Sequence, residues 1–380
     1  MPLVNFPRVD DPTVSVIVLA WRQTDRLVAC LSSLAESADG PSFEVVIVLN
    51  GAAAEVRRVV EAQISGATVV SVEQNLGFGG GCNIGVASSR GRQILFLNDD
   101  VTVDPGMLAA LSAHLDRDPG IAATAAVLLN PDGSLQEAGS RILSSGGTVQ
   151  LGAGLPINSN DASSFLTERE IDYGSAAALL VTRKAFDDVG GFDPVYEPAY
   201  FEDVDLALRL KEHGGRVTLE PRARATHATG SSTATDTRFR QFAADHAGSE
   251  FAARWGDILP LAADRDAEPE RVLPVPPSDR PPVLRSESTP AATAGSIASN
   301  YATWLGAQLD RLESDRATRE ADLRAAEAEI ETLRNCVASL NSTAHGLKER
   351  LDDLEARGPI GVVKWQLGLV KLRHARNSDE

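Results

Sequence analysis

Three short clusters of side chains in this chain have types that could do chemistry together: Asn98-Asp99-Asp100, Glu202-Asp203 and His227. The first follows an apolar run, Leu95-Phe96-Leu97, that reads as a buried strand, so its acids fall where the strand leaves its sheet. Carboxylates placed there can hold magnesium or manganese, hard cations that take oxygen ligands and complete their shells with water and phosphate oxygens. The guest that suits such a site is a metal-bound diphosphate. An Asx turn, in which the same side chains only satisfy backbone amides, is the alternative. Glu202 and Asp203 stand in the first turn of an amphipathic helix, where the helix dipole alone favours acids. At the floor of a cleft, such a carboxylate could instead take a proton from a hydroxyl nucleophile. A lone histidine is most often a surface or core residue, yet a neutral imidazole at His227 is a good partner for a divalent ion already held by a carboxylate.

The elements that must position these residues are legible from periodicity. Val14 to Ala20 is a β-branched run, and from Thr24 onward Leu27, Ala29, Cys30, Leu31 and Leu34 recur at helical spacing. Phe43 to Leu49 repeats the strand signal, Ala53 to Ile64 the helical one, and Thr68 to Val72 the strand again. This alternation predicts an α/β fold with a doubly wound, mostly parallel sheet, whose ligands gather beyond the carboxyl ends of its strands. The loops after Ala20, Leu49, Val72 and Leu97 are expected to share one rim. After the third strand comes a glycine-rich stretch from Asn75 to Gly85, where backbone amides can approach an anion and a following helix offers its amino end. It matches neither the dinucleotide fingerprint nor a P-loop, and a tight turn that permits helix packing is the alternative. Ile121 to Leu129 reads as another strand, and Asn130-Pro131-Asp132-Gly133 as a turn into irregular sequence running to about Ser164, expected to wall an acceptor site. Gly174 and Ser175 keep bulk out of a cleft. A strand from Arg216 to Leu219 leads on to His227.

Composition narrows the function classes. The chain has 380 residues, 43% of them apolar, enough for a sizeable core. A formal charge of −17 argues against a nucleic-acid binder, whose electrostatic footprint is a basic face. Cys30, Cys82 and Cys336 lie far apart without a Cys-x-x-Cys pair, which fits a reducing, cytoplasmic setting and argues against zinc knuckles or a disulfide framework. No stretch supplies about 18 unbroken apolar residues, and no signal pattern precedes the first strand.

Read together, these motifs resemble family 2 nucleotide-sugar glycosyltransferases of the GT-A fold, nearest their rhamnosyltransferase-like branch. The resemblance spans about residues 12 to 256. It rests on the Ser15-Val16-Ile17-Val18 strand, the Asn-x-Gly-Phe-x-x-Gly-x-Asn-x-Gly stretch from Asn75, the acidic turn Asn98-Asp99-Asp100, and Gly190-Gly191-Phe192-Asp193 leading to Glu202-Asp203. It implies an inverting transfer from a nucleoside diphosphate sugar to a glycan or glycolipid hydroxyl, in cell-surface polysaccharide synthesis. Asp100 and His227 would then hold the divalent cation, manganese or magnesium. Asp203 would be the catalytic base, beside Glu202. Donor contacts would fall on Ala20, Trp21, Asn50, Asn75, Gly77, Phe78, Gly81, Asn83, Asn98 and Asp99. Three departures stand out: Asn98 replaces a more usual aspartate, Val48-Leu49-Asn50 a Val-Asp-Asn, and Ala20-Trp21-Arg22 a Thr-Tyr-Asn. The nucleoside base is therefore not inherited from the family. Two other readings are an inactive nucleotide-binding or scaffold protein and, more weakly, a nucleotidyltransferase. The latter wants a basic glycine-rich loop after the first strand, which Ala20-Trp21-Arg22-Gln23 is not.

Beyond the catalytic domain, 1–256, residues 257–300 are proline-rich and read as an extended linker. From Leu305 to Leu354 a heptad places Leu309, Arg316, Leu323, Ile330, Val337, Ala344 and Leu351 at a, and Leu305, Leu312, Arg319, Ala326, Leu333, Leu340, Leu347 and Leu354 at d, with Arg316 and Arg319 weakening the seam locally. Residues 301–357 are thus expected to form an α-helical coiled coil, a parallel homodimer, with a single helix folded back on the catalytic domain as the alternative. Residues 358–380 mix Trp365, Leu367, Leu369 and Val370 with basic side chains. That composition suits either peripheral contact with the inner face of an anionic membrane or a cluster ending the coil.

Overall fold

The computed structural model describes residues 3–37, 40–228, 237–278, 280–283, 297, 299–307 and 320–357. It divides into two units, Met1–Pro290 and Ala291–Glu380. The first is built on a ten-stranded mixed sheet. Its first half is parallel: β1 (Val14–Ala20) lies between β2 (Phe43–Asn50) and β4 (Gln93–Asn98), with β3 (Thr68–Val72) outside β2. These strands are near-continuous apolar runs because both faces are covered. Ile17, Val48 and Phe96 enter one core, and Val16, Ile47 and Leu95 the other. Helices α1 (Thr24–Glu36), α2 (Ala54–Gln63) and α4 (Met107–Arg117) contribute Leu27, Val56 and Leu111 to the second core, whereas α3 (Gly77–Ala87) covers the first.

The second half departs from a purely parallel order. Strand β9 (Ala178–Thr182) runs antiparallel to both β4 and β6 (Ile121–Leu129), and β10 (Arg216–His227) then pairs parallel to β6. The strand expected to end at Leu219 continues to His227, past an irregularity between Glu220 and Arg224. Pro221 cannot donate to the ladder, which interrupts the pattern without ending the strand. The continuation matters, because β5 (Val101–Val103) pairs antiparallel with its end and sets Val101 opposite His227. The stretch expected to be irregular contains β7 (Leu135–Glu137), hydrogen-bonded to β6. Strand β8 (Arg169–Glu170) closes that edge against β10.

The glycine-rich stretch is itself mostly helix, Gly77–Ala87. Several glycines in a helix go against propensity, and tertiary packing explains them. A Cβ on Gly85 would lie 2.4 Å from Ile17 Cγ2 and 3.0 Å from Val48 Cγ2, so α3 rests directly on β1 and β2. Gly85→Ala is expected to cost about 1–3 kcal/mol through overpacking, offset by up to about 1 kcal/mol of helix propensity. The urea midpoint should fall with the slope unchanged; a raised midpoint would show that the helix can back away from the sheet.

The presumption of an extended linker from residue 257 needs correction. Arg141, fully buried, donates to the carbonyls of Asp264, Arg265, Ala267 and Glu268 at 2.7–3.0 Å. Asp172 accepts from the Leu273 amide at 2.6 Å, and Val283 pairs with Val189. Leu259, Ala263 and Leu273 are buried, so 257–278 and 280–283 strap onto the sheet unit, anchored by apolar residues that the prolines obscure in the sequence. In the second unit, Glu320–Arg357 is one long helix. Residues 308–319 and the basic tail 358–380 lie outside the described residues.

Candidate active site

Strand pairing brings the acidic turn and His227 to one end of the sheet. Asp100 sits between β4 and β5, and the pairing of Val101 with His227 carries the imidazole to its carboxylate: Nε2 lies 3.1 Å from Oδ1. Asp100 Oδ2 faces Arg26 of α1 at 3.6 Å, and Arg26 also donates to the Ala228 carbonyl. On the other side of the ring, His227 Nδ1 donates to Gln136 Oε1 at 2.7 Å. The Gln136 amide is oriented by its own donations to the His227 carbonyl, 3.0 Å, and to Asn130 Oδ1, 3.1 Å. In its neutral form, with the proton on Nδ1, the ring turns its Nε2 lone pair to a carboxylate oxygen. Two acceptors then face each other, an arrangement that a cation between them would relieve. Adjacent ligands of an octahedral magnesium, bonded at 2.0–2.1 Å, are about 3 Å apart, so the pair fits one coordination shell. A histidine ligand whose second nitrogen is held by a side chain is also the usual outer-shell pattern. Charge points the same way: burial and the neighbouring Asp100 push Asp99 up to about 7, although it accepts the Trp21 amide.

Asp203 approaches from α5 (Glu202–Glu212). Tyr200 and Phe201 precede it with φ of 79° and 65°, a left-handed conformation that side chains with a Cβ adopt at a cost. Phe201 is held there by its ring on Phe251, 4.8 Å between centroids. The kink delivers Asp203 Oδ2 to the Ala176 amide at 3.3 Å, while Oδ1 takes that of Val204 at 2.9 Å. Ala177 in turn hydrogen-bonds Asn98 through its carbonyl, so one loop, 174–177, joins the acidic turn to Asp203. Burial raises both acids of the motif. Glu202, its Oε2 buried without a hydrogen-bond partner, reaches about 8 through burial and the Asp203 charge. Asp203 rises through burial, against the lowering by its amide donors. Asp205, two residues on, is wholly structural: it binds Tyr196, Arg209 and Trp255 at 2.6–3.1 Å in the core.

Several residues expected to touch a nucleotide sugar are engaged within the protein. Asn50 donates to the Gly77 carbonyl at 2.8 Å and accepts the Leu76 amide at 2.9 Å, while Asn75 Oδ1 accepts from Asn50 and from the Gly77 amide. Gly77 has φ +75° and Gly81 is buried against Leu19. Asn83 makes a two-way pair with the backbone of Phe192, at 2.9 and 3.0 Å, and Phe78 packs edge-on to the Phe192 ring. The Asn75–Gly85 stretch and the Gly190–Asp193 turn are therefore one packed unit. Ala20 is buried at the end of β1, Trp21 follows it with the Arg22 guanidinium 3.9 Å above its ring, and Asn98 is half-buried.

Between His227 and the 174–177 loop opens a cavity of about 450 Å³, lined by Gln136, Glu137, Gln150 and Ser175 among others. The sequence reading missed Arg26, Gln136 and Glu137; nothing in the periodicity marks them, because the last two lie in a three-residue strand. A second cluster, His114 with Glu168 and Glu220, has ligand atoms within 4.8 Å of one another. There Arg117 lies 2.8 Å from His114 Nδ1 and 2.6 Å from Glu168, and Arg222 pairs with Glu220 at 2.9 Å. It is an ion-pair network whose cations are arginines.

The chain is 32% identical over 116 residues to the succinoglycan biosynthesis protein ExoO of Rhizobium meliloti, 30% of this chain and 33% of that one. It is 43% identical over 70 residues to the N-acetylglucosaminyl-diphospho-decaprenol L-rhamnosyltransferase of Mycobacterium tuberculosis, 18% of this chain and 22% of that protein. The matches thus span a third or less of those relatives. Among solved structures, GalNAc-T7 with UDP, GalNAc and Mn2+ has a TM-score of 0.46 at 13% identity, covering 62% of this chain and 48% of that one. The mannosyltransferase PcManGT from Pyrobaculum calidifontis, in complex with GDP-Man and Mn2+, has 0.46 at 16% identity, covering 93% and 92%. The family model for glycosyltransferase like family 2 matches residues 12–245, and the chain belongs to that family.

Proposed function

We propose that this chain is an inverting, metal-dependent glycosyltransferase that moves a sugar from a nucleoside diphosphate donor to a hydroxyl of a glycan or glycolipid acceptor. The observation that carries this reading is the His227 ring, held by Gln136 with Nε2 on Asp100, while the 174–177 loop hydrogen-bonds both the acidic turn and Asp203. Asp203 takes the proton of the attacking hydroxyl; Asp100 and His227 hold the cation. Bound magnesium or manganese supplies positive charge for the departing diphosphate. The names of the relatives, a succinoglycan biosynthesis protein and an N-acetylglucosaminyl-diphospho-decaprenol L-rhamnosyltransferase, support a role in polysaccharide synthesis. Calorimetric titration of UDP, dTDP and GDP with and without manganese tests the reading. Metal-dependent binding of at least one is expected. If none binds in that way, the chain is a scaffold that has kept the fold.

The long helix extends the proposal to assembly. Leu340 and Leu347, two of the heptad d positions, are 53% and 39% exposed on it, which supports a parallel dimer that would cover them. A strict heptad held over this length also favours a partner helix over a globular surface, which would follow a 3.6-residue period. Light scattering should give a dimer for the full chain and a monomer after deletion of residues 301–380, with turnover of short acceptors retained. A monomeric full chain at micromolar concentration would contradict the coil. Among the described residues, no helix is long and apolar enough to cross a membrane.

A further inference from the structure

The cavity beside His227 contains one carboxylate that the transfer chemistry leaves unused. In β7, Leu135 pairs with Leu129 and Glu137 with Leu128, so Gln136 is the extra residue of a bulge. The bulge explains why two consecutive side chains line one cavity, where a regular strand would send them to opposite faces. Gln136 clamps His227. Glu137, 5% exposed, accepts the Ser175 amide at 2.9 Å. The next amide in the chain, that of Ala176, goes to Asp203. Two successive amides of one loop thus hold Glu137 and Asp203 close enough that, beyond burial itself, the Asp203 charge helps push Glu137 up to about 7. The other polar groups lining the cavity are carboxamides and a hydroxyl, from Asn130, Gln136, Gln150 and Ser175, together with the His227 ring; among the described residues, no lysine or arginine lines it. Its volume, about 450 Å³, is that of a small-molecule site.

We propose that Glu137 determines acceptor specificity: its carboxylate accepts a hydroxyl of a neutral pyranose, next to the hydroxyl that Asp203 deprotonates, and its charge excludes sugars carrying a carboxylate of their own. The inference rests on the transferase reading above. A carboxylate is a strong, charge-assisted acceptor for sugar hydroxyls. No cationic side chain of the described lining faces Glu137, and a cation at Asp100 and His227 would be matched by Asp100 and the diphosphate of the bound nucleotide, so a second anion beside Glu137 would stay uncompensated.

The test compares wild type with Glu137→Gln, which keeps the shape and still accepts the Ser175 amide. The full chain is loaded with manganese and whichever of UDP, dTDP or GDP it binds, at about pH 8.5, where Glu137 is ionised. The probes are methyl glucoside, galactoside and mannoside, each beside the methyl glycoside of its uronic acid, with binding followed by ligand-observed NMR. Wild type should favour the neutral member of at least one pair by about 10-fold or more, since like charges brought together at a binding site cost that much. Glu137→Gln should narrow the ratio to about twofold, chiefly by admitting the uronide, because the repulsion is removed and the shape is not. Nucleotide affinity should stay where it was. An equal ratio in both proteins, or nucleotide-loaded wild type that binds no neutral probe, overturns the role of Glu137 alone. Failure of every nucleotide to bind with metal brings down the transferase reading and this inference with it.

Discussion

Replacing Asp203 by asparagine is expected to slow sugar transfer about 100- to 10,000-fold, the usual cost of losing a general base, while leaving nucleotide and manganese affinity intact. Two adjacent acids compete for this role, and their surroundings separate them. Asp203 receives the Ala176 and Val204 amides, which favour its charged form, whereas Glu202 has one oxygen buried without a hydrogen-bond partner. Glu202 thus keeps its proton up to about 8, leaving Asp203 to carry the negative charge. Burial still raises Asp203, so the acid limb of the rate profile should lie above the range of an exposed aspartate. Glu202→Gln is the control, since glutamine imitates the protonated side chain and should preserve most turnover. The two variants also differ in stability. Folded Glu202 holds a proton that the unfolded chain has released above 4.5, so stability present below that value is lost as pH rises toward 8. In Glu202→Gln the urea midpoint should fall less over that window. Unchanged turnover in Asp203→Asn would remove this residue from the reaction.

The half of the molecule that could be read from sequence is the half whose elements are locally self-sufficient. Val14–Ala20 and Phe43–Asn50 are buried on both faces and so announce themselves as apolar runs, and the helices between them repeat at 3.6 residues. Nothing local tells the direction of Ala178–Thr182, because an antiparallel strand between two others has the same composition as a parallel one. The site shows the same division. Asp100, Asp203 and His227 were visible as residue types, but the pairing that joins Asp100 to His227 depends on β10 continuing through Pro221 and its irregularity. Asn50, Asn75 and Asn83 look like ligand contacts in one dimension; in three they are hydrogen-bonded to the loops that shape the rim. Gln136 and Glu137 had no signal at all, since a bulged three-residue strand has no period.

Asp100→Asn is expected to weaken manganese binding more than about 100-fold, because loss of an outer-shell partner alone costs about 10- to 100-fold and Asp100 would be a direct ligand. The effect should be large here for a reason specific to this chain. Where an aspartate would add a second anion to the turn there is Asn98, and Asp99 is pushed toward its neutral form, so Asp100 supplies most of the site's fixed negative charge. Asparagine at 100 would leave His227 Nε2 beside a neutral amide and Arg26 without a carboxylate at 3.6 Å, a net gain of positive charge where a cation should sit. Gln136→Leu should show the outer-shell effect by itself, about 10- to 100-fold, by freeing the imidazole to change tautomer and turn away. Asn98→Asp should act in the opposite direction and tighten the metal. Titration of manganese followed by electron paramagnetic resonance reads all three without requiring an acceptor. If Asp100→Asn binds manganese as wild type does, the acidic turn is an Asx turn and the cation site lies elsewhere. If only Gln136→Leu is silent, His227 is held by β10 alone and the glutamine serves the cavity wall.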